Sequence, residues 1–136
     1  MPDYDPTVRT RTLARIVGPY LLIVALALYL RLATLATFFT SFMQDEGLVF
    51  VAGAFTLMVG LTVLVAHHHW SSISAGVISL IGILATVKGA ALIIAPQFGS
   101  QLTADIVETQ TIMLGAIAFE AIMGLWLTFV GWRPRG

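Results

Sequence analysis

The sequence predicts an all-α fold, four transmembrane helices running up and down as one bundle. Two observations carry that reading. Apolar residues make up 58 % of the chain and charged residues only 10 %. An ordinary soluble domain has about 25 % charged residues, so too few remain here to cover a surface facing water. The apolar residues also collect into four stretches long enough to cross a bilayer, which takes about 20 residues for a hydrocarbon core about 30 Å thick. The mean hydropathy of +0.93 agrees.

With 136 residues the chain has room for one domain. A tail over residues 1–15 precedes a transmembrane domain over 16–132, and a tail over 133–136 follows. The first span is expected over 16–42, interrupted by Arg31, the second over 47–66 and the third over 73–95 with Lys88 inside it. The fourth is expected over 106–132 and contains Glu120. Backbone amides in hydrocarbon must be bonded locally, which makes these spans helical. The alternating pattern of a membrane barrel is absent from the sequence.

The expected links are short. Gln44-Asp45-Glu46 joins the first two spans, residues 67–72 the middle two, and residues 96–105 the last two, with Pro96 as a helix stop. Short links place sequential spans antiparallel. Arg9, Arg11 and Arg15 resemble the basic start of a cleaved leader, but the apolar stretch behind them exceeds the usual core of about 7–15 residues, and Ala33 to Ala36 is a poor cleavage site. The first span is therefore retained.

Basic residues set the expected orientation. Arg9, Arg11 and Arg15 precede the first span, and Arg133 and Arg135 follow the last. The opposite loops carry Asp45, Glu46 and Asp105 but no Lys or Arg. Both termini and the His-rich loop are expected to be cytoplasmic, with Tyr20, Trp70 and Trp132 at that interface. Net charge is zero, so no basic field attracts nucleic acid. The sequence has no cysteine, which removes disulfides and thiolate chemistry.

An offset of 64 residues aligns span one with span three and span two with span four. Gly18 meets Gly82, Gly60-Leu61 meets Gly124-Leu125, and Ala27-Leu28 meets Ala91-Leu92. Such an offset is compatible with two parallel helical-hairpin repeats. Small residues let membrane helices approach closely. Ser72, Ala75, Ser79, Gly82, Thr86 and Gly89 alternate steps of three and four and share one seam of the third span. Gly53 and Gly60 form a sparser seam that reaches His67, and Gly124 lies one turn from Glu120.

A charge in hydrocarbon costs at least about 2.5–3.5 kcal/mol on insertion scales. Glu120, Lys88 and Arg31 are thus the intramembrane candidates for an ion pair, a proton relay or a charged-ligand site; the bland alternative is snorkelling cations and a protonated or paired carboxylate. His67, His68 and His69 are weak metal candidates, because consecutive helical residues point about 100° apart and no Asp, Glu or Cys lies beside them. No nucleophile elbow or Gly-rich phosphate loop is present, and no cofactor is expected.

The pattern His67-x-x-Trp70, then Gly82, Lys88-Gly89 and Pro96, resembles that of small bacterial four-helix inner-membrane proteins without an assigned function. Arg15-x-x-Gly18-Pro19-Tyr20-Leu21-Leu22-Ile23-Val24 resembles the start of the first span in the same group. The similarity covers about residues 15–96 and implies a bacterial inner-membrane location but no reaction. The chain departs from that group at His68, where Asn is usual, and at Arg31-Leu32 in place of Asn-Pro.

The leading functional expectation is a non-enzymatic accessory subunit or self-associating membrane protein, whose partners are the bilayer and other membrane subunits or itself. An alternative is a small oligomeric transporter or channel with Glu120 as a proton or cation site. Its architecture resembles the small multidrug-resistance exporters, although those carry their key glutamate in the first span. A third is a membrane enzyme or cofactor carrier built on His67 to His69.

Overall fold

The computed structural model describes residues 6–67, 70 and 72–134. Its elements in order are α1 (Pro6–Leu30), a 3₁₀ turn (Leu32–Thr34), α2 (Leu35–Gln44), α3 (Glu46–Ala66), α4 (Ile73–Ile94), α5 (Pro96–Glu108) and α6 (Gln110–Trp132). Four stretches are long and apolar enough to cross a membrane: Val8–Leu30, Glu46–Ala66, Ile73–Ile94 and Gln110–Trp132. The chain is an integral membrane protein built as an up-down bundle of these four helices.

The stretch expected as the first span is divided. α1 begins earlier and stops at Leu30, where the Arg31 amide donates to both Ala27 O and Leu28 O at 3.2 Å and the helix tightens into a 3₁₀ turn. Length explains the break. The 25 residues of α1 already span about 37 Å at about 1.5 Å per residue, more than a hydrocarbon core about 30 Å thick. One straight helix on to residue 42 would overshoot the far interface. The remainder becomes α2, a separate short helix.

The expected link over 96–105 is helical as well. Pro96 ends α4 and also starts α5, standing at its first turn, where a missing N–H costs nothing. α5 and α2 pack on each other at the end of the bundle that carries Asp45, Glu46 and Asp105. Local capping fixes two other starts. Asp45 Oδ1 accepts from Leu48 N at 3.0 Å to begin α3, and Ser72 Oγ accepts from Ala75 N at 3.2 Å to begin α4.

The closest helix pairs are α3 with α4 and α1 with α6; α1 also touches α4, which joins the two pairs. The first and second spanning helices, neighbours in sequence, are not a close pair, because the 3₁₀ turn and α2 lie between them. This arrangement has a pseudo-two-fold character. The buried positions of α3 are Val49, Gly53, Gly60 and Val63, followed by His67 at its C-cap, and those of α6 are Met113, Ile117, Gly124, Leu127 and Gly131. Every member of one set lies 64 residues from its counterpart in the other. Ala14, Gly18 and Ala25 of α1 correspond in the same way to Ile78, Gly82 and Gly89 of α4, all six buried.

The contacts repeat with the positions. A Cβ added at Gly60 would strike the backbone N of Thr86, and one at Gly124 would lie 2.9 Å from the backbone N of Leu22; Thr86 and Leu22 are again 64 apart. Ala14, Val63, Ile78 and Leu127 form a single buried cluster. They are two offset-related pairs, so this part of the core sits where the two halves meet; a second buried cluster, Ala25, Leu35, Met113 and Ile117, packs α2 against α1 and α6. Packing in lipid rests on such close approach, since lipid tails are as apolar as the helix faces.

Candidate functional site

The polar side chains of the bundle gather mainly at the end where α1 and α4 begin and α3 and α6 finish. His67 is fully buried and caps α3, its amide donating to Val63 O at 2.7 Å. Its Nε2 lies 2.6 Å from Thr10 Oγ1 on α1, and its Nδ1 lies 3.3 Å from Ser79 Oγ on α4. Ser79 Oγ also donates to His67 O at 3.3 Å. One tautomer satisfies all of these bonds. The Nδ1–H donates to Ser79, Ser79 gives its proton to the carbonyl, and Thr10 donates to Nε2. Thr10 and Ser79 are buried too, so three helices meet on one imidazole.

Arginines of α1 complete this end. Arg9 Nη1 donates to Ala66 O, the last carbonyl of α3, at 3.5 Å. Arg15 Nε donates to Gly131 O in the last turn of α6 at 2.8 Å, and Arg11 donates to Arg133 O just beyond. Terminal helix carbonyls lack an intrahelical partner and carry partial negative charge, which cations satisfy. Arg15 also lies 5.6 Å over the Trp132 ring and Arg133 lies 5.7 Å over Phe129.

Of the three intramembrane candidates, Lys88 and Glu120 come within electrostatic range of each other, and Arg31 lies apart. Glu120 sits half-buried on the inward seam of α6 between Ile117 and Gly124, at the place Thr56 holds on α3. Lys88 is exposed on α4, near enough for its charge to act on the Glu120 carboxylate. Arg31 is exposed at the 3₁₀ turn, with its guanidinium 6.0 Å from the Phe38 ring. A cavity of about 720 Å³ lies near that end, between Met43, Glu46, Phe50, Leu92 and Pro96, and Glu120 is not part of its wall.

The glycine and small-residue candidates lie at helix contacts. Gly53 and Gly89 face each other's backbone across α3 and α4, Gly60 faces Thr86, and Gly82 faces Val63. Ala75 is buried, and Thr86 turns its hydroxyl back to Gly82 O at 2.8 Å. Gly124 approaches the backbone of Leu22 on α1. Ser79 has a second role that the seam does not express, as a partner of His67.

His68 and His69 lie outside the described residues. Among the described residues no group of three His, Cys, Asp or Glu side chains is placed to hold a metal ion, and both ring nitrogens of His67 face hydroxyls. Sequence reasoning missed Thr10 and the capping role of Arg15. Thr10 lies 57 residues from His67 and belongs to no local pattern. Arg15 was legible only as a topogenic charge, although the offset of 64 places it opposite Ser79. No family model, curated protein or solved structure matches the chain.

Proposed function

We propose that this chain is a non-catalytic component of a bacterial inner membrane, an accessory subunit or a four-helix unit that associates with itself, with both termini on the cytoplasmic side. One observation carries the reading: the buried polar side chains, Thr10, His67 and Ser79, are spent on joining helices. Thr10 and Ser79 each bond to His67, and the arginines of α1 bond to helix-end carbonyls. No buried side-chain nitrogen or oxygen among the described residues is left without a partner, so the bundle is organised as a structural unit.

The outer faces permit association. Phe55 and Met58 on α3, Leu84 and Val87 on α4, and Phe119 and Ile122 on α6 are large, apolar and exposed. They suit lipid tails or the helices of a neighbouring subunit equally well. Grouping of Arg9, Arg11, Arg15 and Arg133 at one end of the bundle, with Asp45 and Glu46 at the other, favours the cytoplasmic placement of the termini by the positive-inside rule.

Intact-complex mass measurement after mild extraction from the native membrane tests the proposal. The expected result is a particle heavier than one 14.6 kDa chain with its lipids, either a homo-oligomer or a complex with another membrane protein. A strictly monomeric particle with no copurifying protein contradicts it.

A further inference from the structure

We propose that the cavity between the start of α1 and the end of α6 binds the phosphate of an anionic phospholipid headgroup. The cavity measures about 410 Å³ and is lined by Arg11, Thr12, Arg15, Trp132 and Arg133, together with Val8 and Pro134. Three arginines thus line one open cleft, and no described carboxylate lines it. Asp3 and Asp5 lie outside the described residues. Three like charges held together repel one another in a medium of low dielectric, and an anion in their midst reverses the sign of that interaction.

The arginines retain donors for it. Arg15 spends its Nε on Gly131 O, and Arg11 spends one Nη on Arg133 O. Arg133 packs over the Phe129 ring. A guanidinium has five N–H donors in a planar fork that fits two phosphate oxygens at once. The bonds to carbonyls and the ring contacts hold these forks in place before a ligand arrives.

Depth favours a lipid over a free ion. Trp132 is the last residue of a 23-residue apolar helix, and an amphipathic ring at that point sits at headgroup level. Arg11 and Arg15 lie in the early turns of α1, whose length exceeds the hydrocarbon thickness. Helical spacing carries the same two faces down to Ile23 on α1 and to Leu125 and Phe129 on α6, all exposed and apolar. A headgroup in the cavity would lay its acyl chains along them. Basic pockets between membrane helices bind anionic headgroups by this combination of charge and depth.

The test uses the full chain in mild detergent with equal amounts of phosphatidylglycerol and phosphatidylcholine, with retained lipid read by native mass spectrometry. The expected preference for phosphatidylglycerol is about tenfold, and Arg11→Gln/Arg133→Gln reduces it to near parity. Arg11→Lys/Arg133→Lys keeps part of the preference, because charge remains while the fork is lost. Arg133→Gln alone lies beyond the last helix and gives an intermediate ratio at an unchanged melting temperature. A parent ratio near one, or a double glutamine variant with the parent ratio, overturns the proposal. Inorganic phosphate that displaces phosphatidylglycerol at equal concentration overturns the lipid assignment and leaves a site for free phosphate.

Discussion

Arg15 donates its Nε–H to the carbonyl of Gly131 across 2.8 Å, tying the start of α1 to the end of α6. Shifted by 64 residues, the same relationship joins Ser79 of α4 to the carbonyl of His67 at the end of α3, across 3.3 Å. Two different side chains perform one task at equivalent places in the two halves. Each satisfies a terminal carbonyl that helix geometry leaves without a partner.

Arg15→Gln is therefore expected to destabilise the bundle. It removes a charged hydrogen bond and the contact with Trp132. The loss is expected at about 1.5 kcal/mol, the low end of the range for hydrogen bonds to charged groups, because Arg15 is exposed. Thermal unfolding in detergent measures it, and an unchanged midpoint would show that solvent serves the Gly131 carbonyl equally well.

The glycine contacts predict a graded response. Gly60→Val and Gly124→Val drive a branched side chain into the backbone of the facing helix, which is expected to cost about 1–3 kcal/mol or to change the packing. Gly115 has open space around its Cβ position, so Gly115→Ala is expected to be neutral or to stabilise by up to about 1 kcal/mol through helix propensity. Melting curves of the three variants check the order. A similar loss in all three would remove close approach as the cause.

The buried imidazole predicts coupling between distant residues. Thr10→Val and His67→Ala, separately and together, form a double-mutant cycle across the 2.6 Å bond. A coupling of about 0.5–1.5 kcal/mol is expected for a buried neutral hydrogen bond. Strictly additive losses would mean that Thr10 and His67 act independently.

Much of the fold was legible in the sequence because the bilayer is a severe solvent. Length and apolarity alone reveal α3, α4 and α6, and Gly18 with Gly82, and Gly60 with Gly124, already mark the repeat. Less visible was the division of the first span. Residues 35–44 are apolar enough to read as membrane, and only the accumulated length of α1 forces the turn at Arg31. α5 was hidden because Pro96 signals both an end and a beginning. The polar end was the least legible part, since Thr10, His67 and Ser79 come together only through the pairing of helices distant in sequence.

The offset also identifies Glu120 as a departure from symmetry, for its counterpart Thr56 is uncharged. Glu120→Thr is expected to be tolerated, with a stability change within about 1 kcal/mol in either direction, because a residue of that kind already occupies the equivalent seam position on α3. Melting and intact mass of the variant check this. Loss of folding would assign Glu120 a structural role that its half-buried position does not express.

The helix pairing at the centre of this account is tested most directly by cross-linking in native membranes, in a chain that has no cysteine of its own. Ala14→Cys with Leu127→Cys, and Val63→Cys with Ile78→Cys, place two offset-related pairs in the buried cluster where the halves meet. Mild oxidation is predicted to close both pairs within single chains, giving a compact monomer on a denaturing gel. Cross-linked dimers from either pair, or a failure of both pairs to close, would contradict the pairing of α1 with α6 and of α3 with α4.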